Sequence, residues 1–255
     1  DANLKLVAQR TPGFSGADLA NVLNEAAILA ATKNKKIIDN DDMLMSIEKV
    51  LLGPERRSRI LNDKEKEITA YHEAGHALVA HFLPHADPVH KISIISRGRA
   101  GGYTLKLPDR DKHMQAKQEF IEEIAVLLGG YLTEQHIYNE VTTGATSDLR
   151  RATQLARRLV TDFGMSDKLG PRTFGEKEEM IFLGREIHEQ RDYSEKIAEL
   201  IDEEINNFIG QGKALAEKVI NSHKDQLEAI SRKLLAEETI EKEAFEQLVG
   251  PKPLA

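Results

Sequence analysis

The chain has 255 residues, 40% of them hydrophobic and 30% charged, with a formal net charge of -7 at pH 7. That composition belongs to a core-forming protein with room for one large domain or two small ones, and it excludes a disordered chain and a general basic surface for nucleic acid. There is no cysteine, so disulfides and thiolate metal sites are excluded and His, Asp and Glu remain as strong metal ligands.

The chain opens on Asp1-Ala2-Asn3-Leu4, with neither a signal-peptide pattern nor an initiator methionine, as a mature product or an excised fragment would. Residues 1–60 read as a small helical unit. Thr11-Pro12-Gly13-Phe14 is a turn, and Ser15 followed three residues later by Asp18 has the form of a capped helix start. Leu19, Val22, Leu23, Ala26, Ala27 and Ala30 then recur at helical spacing. A second cap near Asp39-Asn40 precedes Met43, Leu44, Ile47, Val50 and Leu51, and Gly53-Pro54 ends that helix. The charged run Glu55-Arg56-Arg57-Ser58-Arg59 is the expected boundary between two units.

The next helix starts near Asn62 with Glu65 as its cap partner, runs through Ile68, Leu78, Val79 and Phe82, and stops at Pro84. It carries His72-Glu73-Ala74-Gly75-His76. Residues four apart share a helix face, so His72 and His76 can each point a ring nitrogen at one metal ion. Glu73 sits beside them, placed to take a proton from a metal-bound water. Two neutral imidazoles and an adjacent carboxylate are what a catalytic Zn²⁺ needs to make hydroxide near neutral pH. A surface helix that merely happens to carry two histidines fits less well, because Ala70, Ala74, Gly75 and Ala77 leave little bulk around the pair.

His90–Ser96 is strand-like, partly alternating and rich in β-branched residues. Gly98, Gly101 and Gly102 mark turns, and Tyr103–Leu107 reads as a returning strand. A helix over about 114–137 has Phe120, Ile121, Ile124, Leu127 and Leu128 as its core face, a loop spans Thr142–Ser147, and a helix of about 147–163 follows. The stretch 170–185, with Gly170-Pro171, Gly175 and Gly184, reads as loop or short strands. From about 190 to 235 the pattern is strongly helical, with Ile197, Leu200, Ile201, Ile205 and Phe208 on one face, then Leu215, Val219, Ile220, Leu227, Ile230 and Leu234. Ordinary intramolecular core is the preferred reading of these faces over a surface for a partner. No apolar run approaches the ~20 residues a membrane span requires. The expected fold is mainly α (α+β) with a small β element.

A catalytic zinc usually has three protein ligands. A Gly and a His three and six residues after the second histidine would define one protease class, but Val79 and Phe82 stand there. His81, His85 and His90 read as ordinary histidines rather than ligands, and His81 faces another side of the helix. Glu119, Glu122, Glu123 and Glu134 could come from a second helix. Asp148 sits in the first turn of its helix, where a carboxylate is favoured with or without a metal. The residues alone leave Asp148 and Glu134 level.

Several strings occur together and in order: His72–His76, Pro88–Ile94, Gly102-Tyr103-Thr104, Leu128-Gly129-Gly130, Val141–Ala145 with Asp148-Leu149, and Phe163-Gly164-Met165-Ser166. With them the chain, from about residue 4 to 250, resembles the FtsH family, the membrane-anchored ATP-dependent zinc proteases of bacteria, mitochondria and chloroplasts. The resemblance implies a C-terminal helical lid of an AAA+ ATPase module over residues 1–60, with Gly13–Leu19, and a zinc metallopeptidase domain over 61–250. It implies Asp148 as the third ligand and Glu134 as a residue that supports a ligand. It also implies a nucleotide contact at Gly16 and Ala17. ATP would be bound only through an ATPase core outside this chain, which has no Gly-x-x-x-x-Gly-Lys loop. A homo-hexameric ring, unfolded or membrane protein substrates, no nucleic acid, and a membrane anchor in a preceding segment complete the expectation, with the protease facing the cytosol or the organelle interior. The chain departs from the family pattern at Tyr131, where Arg is usual, and at Ser147, where Asn is usual.

On this reading the chain is a zinc endopeptidase with Glu73 as general base, and the strand near Ile92–Ile95 holds an extended substrate by adding it to the sheet edge. The alternative is an assembly module that mainly holds the ring together, with the long C-terminal helices packed between neighbours.

Overall fold

The computed structural model of the chain describes residues 3–55, 62–97, 101–108, 114–175 and 193–253. The expected linker at 56–59, the turn at Gly98 and the stretch 176–185 with Gly184 lie outside the described residues.

Helix α1 (Leu4–Arg10) is followed by α2 (Gly16–Thr32) and α3 (Asn40–Leu52). The latter two begin where the caps predict. Ser15 and Asp18 bond reciprocally, as do Asp39 and Asp42, so orphan backbone N–H groups at each helix start are satisfied. Val22, Ala26, Met43 and Ile47 close a small core between α2 and α3. The fully buried Asp42 receives Lys33 and Lys35, and these hydrogen bonds hold its carboxyl well below the usual range.

Helix α4 (Asp63–Phe82) starts on a third capping box, Asn62 with Glu65, and ends before Pro84. Every residue from Ala70 to His81 is buried, although the sequence there is not uniformly apolar. The cause is the packing: α5 (Lys117–Tyr138), α7 (Glu195–Ser222), α8 (Lys224–Glu237) and the sheet all lie against it. Helices α4 and α5 cross glycine on glycine. A Cβ on Gly75 would stand 2.6 Å from the Gly129 carbonyl oxygen, and one on Gly129 would stand 2.9 Å from that of Gly75. No side chain larger than hydrogen fits at this crossing, and the close approach sets everything that follows at the site.

The sheet has three antiparallel strands, β1 (Val89–Ser93), β2 (Tyr103–Lys106) and β3 (Thr239–Glu241), in the order β2-β1-β3. Ile92 lies opposite Thr104 on one side and Ile240 on the other. Strand β1 is therefore central, which corrects the expectation that the Ile92–Ile95 segment offers a free edge to substrate. Strand β1 also ends earlier than expected, and Ile94 donates its N–H to the Glu238 carbonyl at 3.0 Å.

Helix α6 (Thr146–Thr161) and the short α9 (Lys242–Val249) complete the described elements. The apolar faces of α7 and α8, including Ile201, Ile205, Phe208, Ile220, Leu227 and Ile230, are buried in the main core with α4 and α5. The intramolecular reading of these helices holds, and those faces are already covered within the chain. Mainly helical, with one small sheet, the fold has the class expected.

Candidate metal centre

The α4/α5 crossing lays the His72 ring directly over Gly130, where a Cβ would come within 2.5 Å of the ring's Cε1 and Nε2 atoms. One turn further along α5, Glu134 Oε1 lies 2.6 Å from His72 Nδ1. The Val126 carbonyl oxygen lies 2.7 Å from His76 Nδ1. A carbonyl can only accept, so His76 carries its hydrogen on Nδ1; an ionised Glu134 fixes His72 in the same tautomer. Both Nε2 lone pairs then face inward, 3.0 Å apart.

Asp148 completes a triangle. Its Oδ2 is 3.5 Å from His72 Nε2 and 3.6 Å from His76 Nε2. Among the described residues these three side chains form a group with ligand atoms close enough to hold one metal ion. A tetrahedral zinc with bonds of about 2.0–2.1 Å places its ligand atoms roughly 3.3 Å apart, and the three observed separations bracket that value. In that tautomer three lone pairs converge, an arrangement that is repulsive unless a proton or a metal cation sits among them, so the donor set fits zinc.

Asp148 reaches this position because a one-turn 3₁₀ helix (Thr143–Ala145) leads directly into the first turn of α6. Glu134 governs that approach too: its Oε2 accepts the Thr142 N–H at 2.7 Å while its Oε1 holds His72. Burial would raise the Glu134 carboxyl, but the bonds from His72 and Thr142 outweigh it and keep it below the usual range. Burial would likewise lower His72, yet Asp148 and Glu134 push it up to about 10, so a proton and a metal ion compete for the same Nε2. Asp148, against the cost of its burial, is held far below the ordinary carboxylate range by the two imidazoles. The pocket selects for positive charge.

Glu73 lies beside the triangle, 7% exposed. Burial lifts its carboxyl above the usual range, against the lowering pull of His76, His72 and Thr104. Thr104 Oγ1, on β2, donates to Glu73 Oε2 at 2.8 Å, with the Glu73 carbonyl oxygen 3.2 Å away. At Gly102 a Cβ would stand 2.9 Å from Glu73 Cγ, so β2 approaches the carboxylate closely only because that residue is glycine. The sequence marks Gly102 as a turn and Thr104 as part of a strand, with no signal that ties either to Glu73 beyond the string Gly102-Tyr103-Thr104 in the family resemblance.

The remaining candidates fall elsewhere. His81 is buried, with its ring against Phe82 and Phe245. His85 bonds Glu122. His90, Glu119 and Glu123 stand outside the metal group. Gly16 and Ala17 are exposed in the first turn of α2 and are not brought to the triangle. Tyr131 packs against the main core, Ser147 is exposed, and the triangle forms with both in place.

Residues 59–248 match the model of Peptidase family M41, and residues 1–45 match that of the AAA+ lid domain. ATP-dependent zinc metalloprotease FtsH 1 of Sphaerobacter thermophilus is 52% identical over 261 residues, covering 98% of this chain and 40% of that protein. FtsH 1 of Thermomicrobium roseum is 51% identical, covering 99% of this chain and 39% of its own length. ATP-dependent zinc metalloprotease FtsH of Veillonella parvula is 49% identical, covering 97% and 39%. The chain thus spans about two fifths of the length of the curated relatives it matches. A metal triangle on a buried His-Glu-x-x-His helix, a match over most of the chain and identities near one half agree, and the chain belongs to peptidase family M41.

Proposed function

We propose that this chain is the lid and zinc-endopeptidase portion of an ATP-dependent protease, divided near residue 60, with His72, His76 and Asp148 as metal ligands and Glu73 as general base. The observation that carries the reading is the inward-facing triangle of Nε2, Nε2 and Oδ2, with both imidazole hydrogens bonded outward. Zinc bound there supplies a Lewis acid that acidifies water and polarises a carbonyl. Glu73 accepts the proton of the attacking water and returns it to the leaving amine; a buried carboxylate with a raised pKa suits both steps. Glu134 keeps His72 Nε2 free for the metal and orders the loop that delivers Asp148.

Strand β2 pairs with β1 alone among the described residues. Its open edge suits an extended peptide recognised through its backbone, which fits unfolded chains as substrates. The separate small core of α2 and α3 supports the lid assignment, and Gly16 and Ala17 at the start of α2 would touch a nucleotide held by an ATPase core outside this chain. On the FtsH resemblance the longer protein is a homo-hexamer, anchored in a membrane by a segment outside this chain, that degrades unfolded or membrane proteins. No described helix is long and apolar enough to cross a membrane.

Glu73→Gln tests the base assignment. The variant should keep its zinc and lose cleavage of an unstructured fluorogenic peptide by roughly 10²–10⁴-fold. Cleavage at the unsubstituted rate would remove Glu73 from the mechanism.

A further inference from the structure

Strand β2 is shared by two surfaces. Successive side chains of a strand point to opposite faces. Thr104 faces Glu73, while Tyr103, Leu105 and Leu107 form a cluster on the other face against Leu52, the last residue of α3. One turn earlier on α3 is Glu48, 2% exposed. Its carboxylate accepts Lys91 Nζ at 3.0 and 3.2 Å, Arg97 Nη2 at 3.0 Å and the Tyr103 hydroxyl at 3.3 Å. Arg97 also donates to Glu55 at 2.8 Å, and Lys91 pairs with Glu241 at 3.0 Å. Burial would lower the Lys91 ammonium, but Glu48 more than offsets this and keeps it charged.

A buried carboxylate persists only when paired and hydrogen-bonded, and removing its partners leaves a costly lone charge. Here the donors come from β1, from β2 and from the turn after β1. The last turns of the lid's third helix therefore grip the strands whose neighbouring residue holds Glu73.

We propose that Glu48 is a positioning residue for the peptidase. By holding Tyr103, Arg97 and Lys91 it fixes β2 so that Thr104 keeps the Glu73 carboxylate aimed, and it ties the seat of the lid to the competence of the site. This rests on Glu73 being the base.

The test is a double-mutant cycle on the zinc-loaded chain, read on peptide cleavage: Glu48→Gln, Thr104→Val and the pair. Each single variant should lower kcat roughly tenfold with KM and zinc content unchanged, and Thr104→Ser, which keeps the hydroxyl, should recover most of the rate. The pair should be no slower than the slower single variant, because both act through one path. Independently of turnover, amide exchange at 103–106 should quicken in Glu48→Gln while that at 224–237 stays unchanged. If Glu48→Gln does not fold, Tyr103→Phe, which removes only a hydroxyl, replaces it in the cycle with the same expectation. Additive losses, unchanged kcat with unchanged exchange at 103–106, or faster exchange everywhere would each overturn the proposal. An unsubstituted chain that cleaves nothing, or a fully active Glu73→Gln, would instead overturn the assignment of Glu73; the exchange measurement would still decide whether Glu48 fixes β2.

Discussion

The orientation of His72 depends on one glycine and one carboxylate. Gly130 gives the ring its place and Glu134 gives it its tautomer. Gly130→Ala would set a carbon 2.5 Å from the ring, which backbone on one side and a packed imidazole on the other cannot absorb without movement. The variant should bind zinc at least about tenfold more weakly and lose about 1–3 kcal/mol of stability to overpacking, measured by chelator competition and by denaturant unfolding. Unchanged zinc affinity would show that His72 is not held as described. At this scale the sequence was partly legible. His72, Glu73 and His76 follow from the helical repeat, since the chemistry lies within one turn. Asp148 and Glu134 could not be separated from the residues alone, because both are carboxylates and the difference is which nitrogen of His72 each one meets. That depends on the crossing of α4 with α5 and on the loop after α5, which no local pattern encodes.

At the scale of the element, α4 has a charge cost at its far end. His81 is 3% exposed, its Nε2 has no hydrogen-bond partner among the described residues, and Lys252 donates to the last carbonyls of the helix. Burial first, then Lys252 and His223, pull its pKa down to about 4. Above pH 6.5 the ring is neutral whether folded or unfolded, and stability is unaffected. Below it the unfolded chain takes up a proton that the fold refuses until about pH 4, so stability falls as pH falls through that window. His81→Leu should flatten the decline between pH 6.5 and 4 by about 2–3 kcal/mol, read from urea unfolding at successive pH values. Parallel curves for the two proteins would contradict the burial of a neutral His81. The same scale shows why some elements were legible and others not. Helices α2, α3 and α4 announce themselves through Ser15/Asp18, Asp39/Asp42 and Asn62/Glu65. Strand β3 is three residues long and pairs with a segment far away in the chain, so neither its existence nor the central place of β1 has a local signature.

For the whole molecule, the main core and the metal site are one construction. Gly75 and Gly129 bring α4 and α5 together, Gly212 admits α7 against Ile124, and the His72, His76 and Asp148 triangle hangs from the resulting frame. A metal that binds only this frame stabilises it by mass action. The site also determines which reading of the chain stands, since a peptidase needs the metal and an assembly module does not. The decisive measurement is therefore zinc per chain by elemental mass spectrometry, on the unsubstituted protein and on Asp148→Ala and Glu134→Gln, purified without added metal. About one zinc per chain is expected in the first, almost none in Asp148→Ala, and a weakened but present site in Glu134→Gln. An unsubstituted chain that carries no zinc and takes up none on reconstitution, or an Asp148→Ala variant that keeps its zinc while Glu134→Gln loses it, would contradict the assignment of His72, His76 and Asp148 as the metal site.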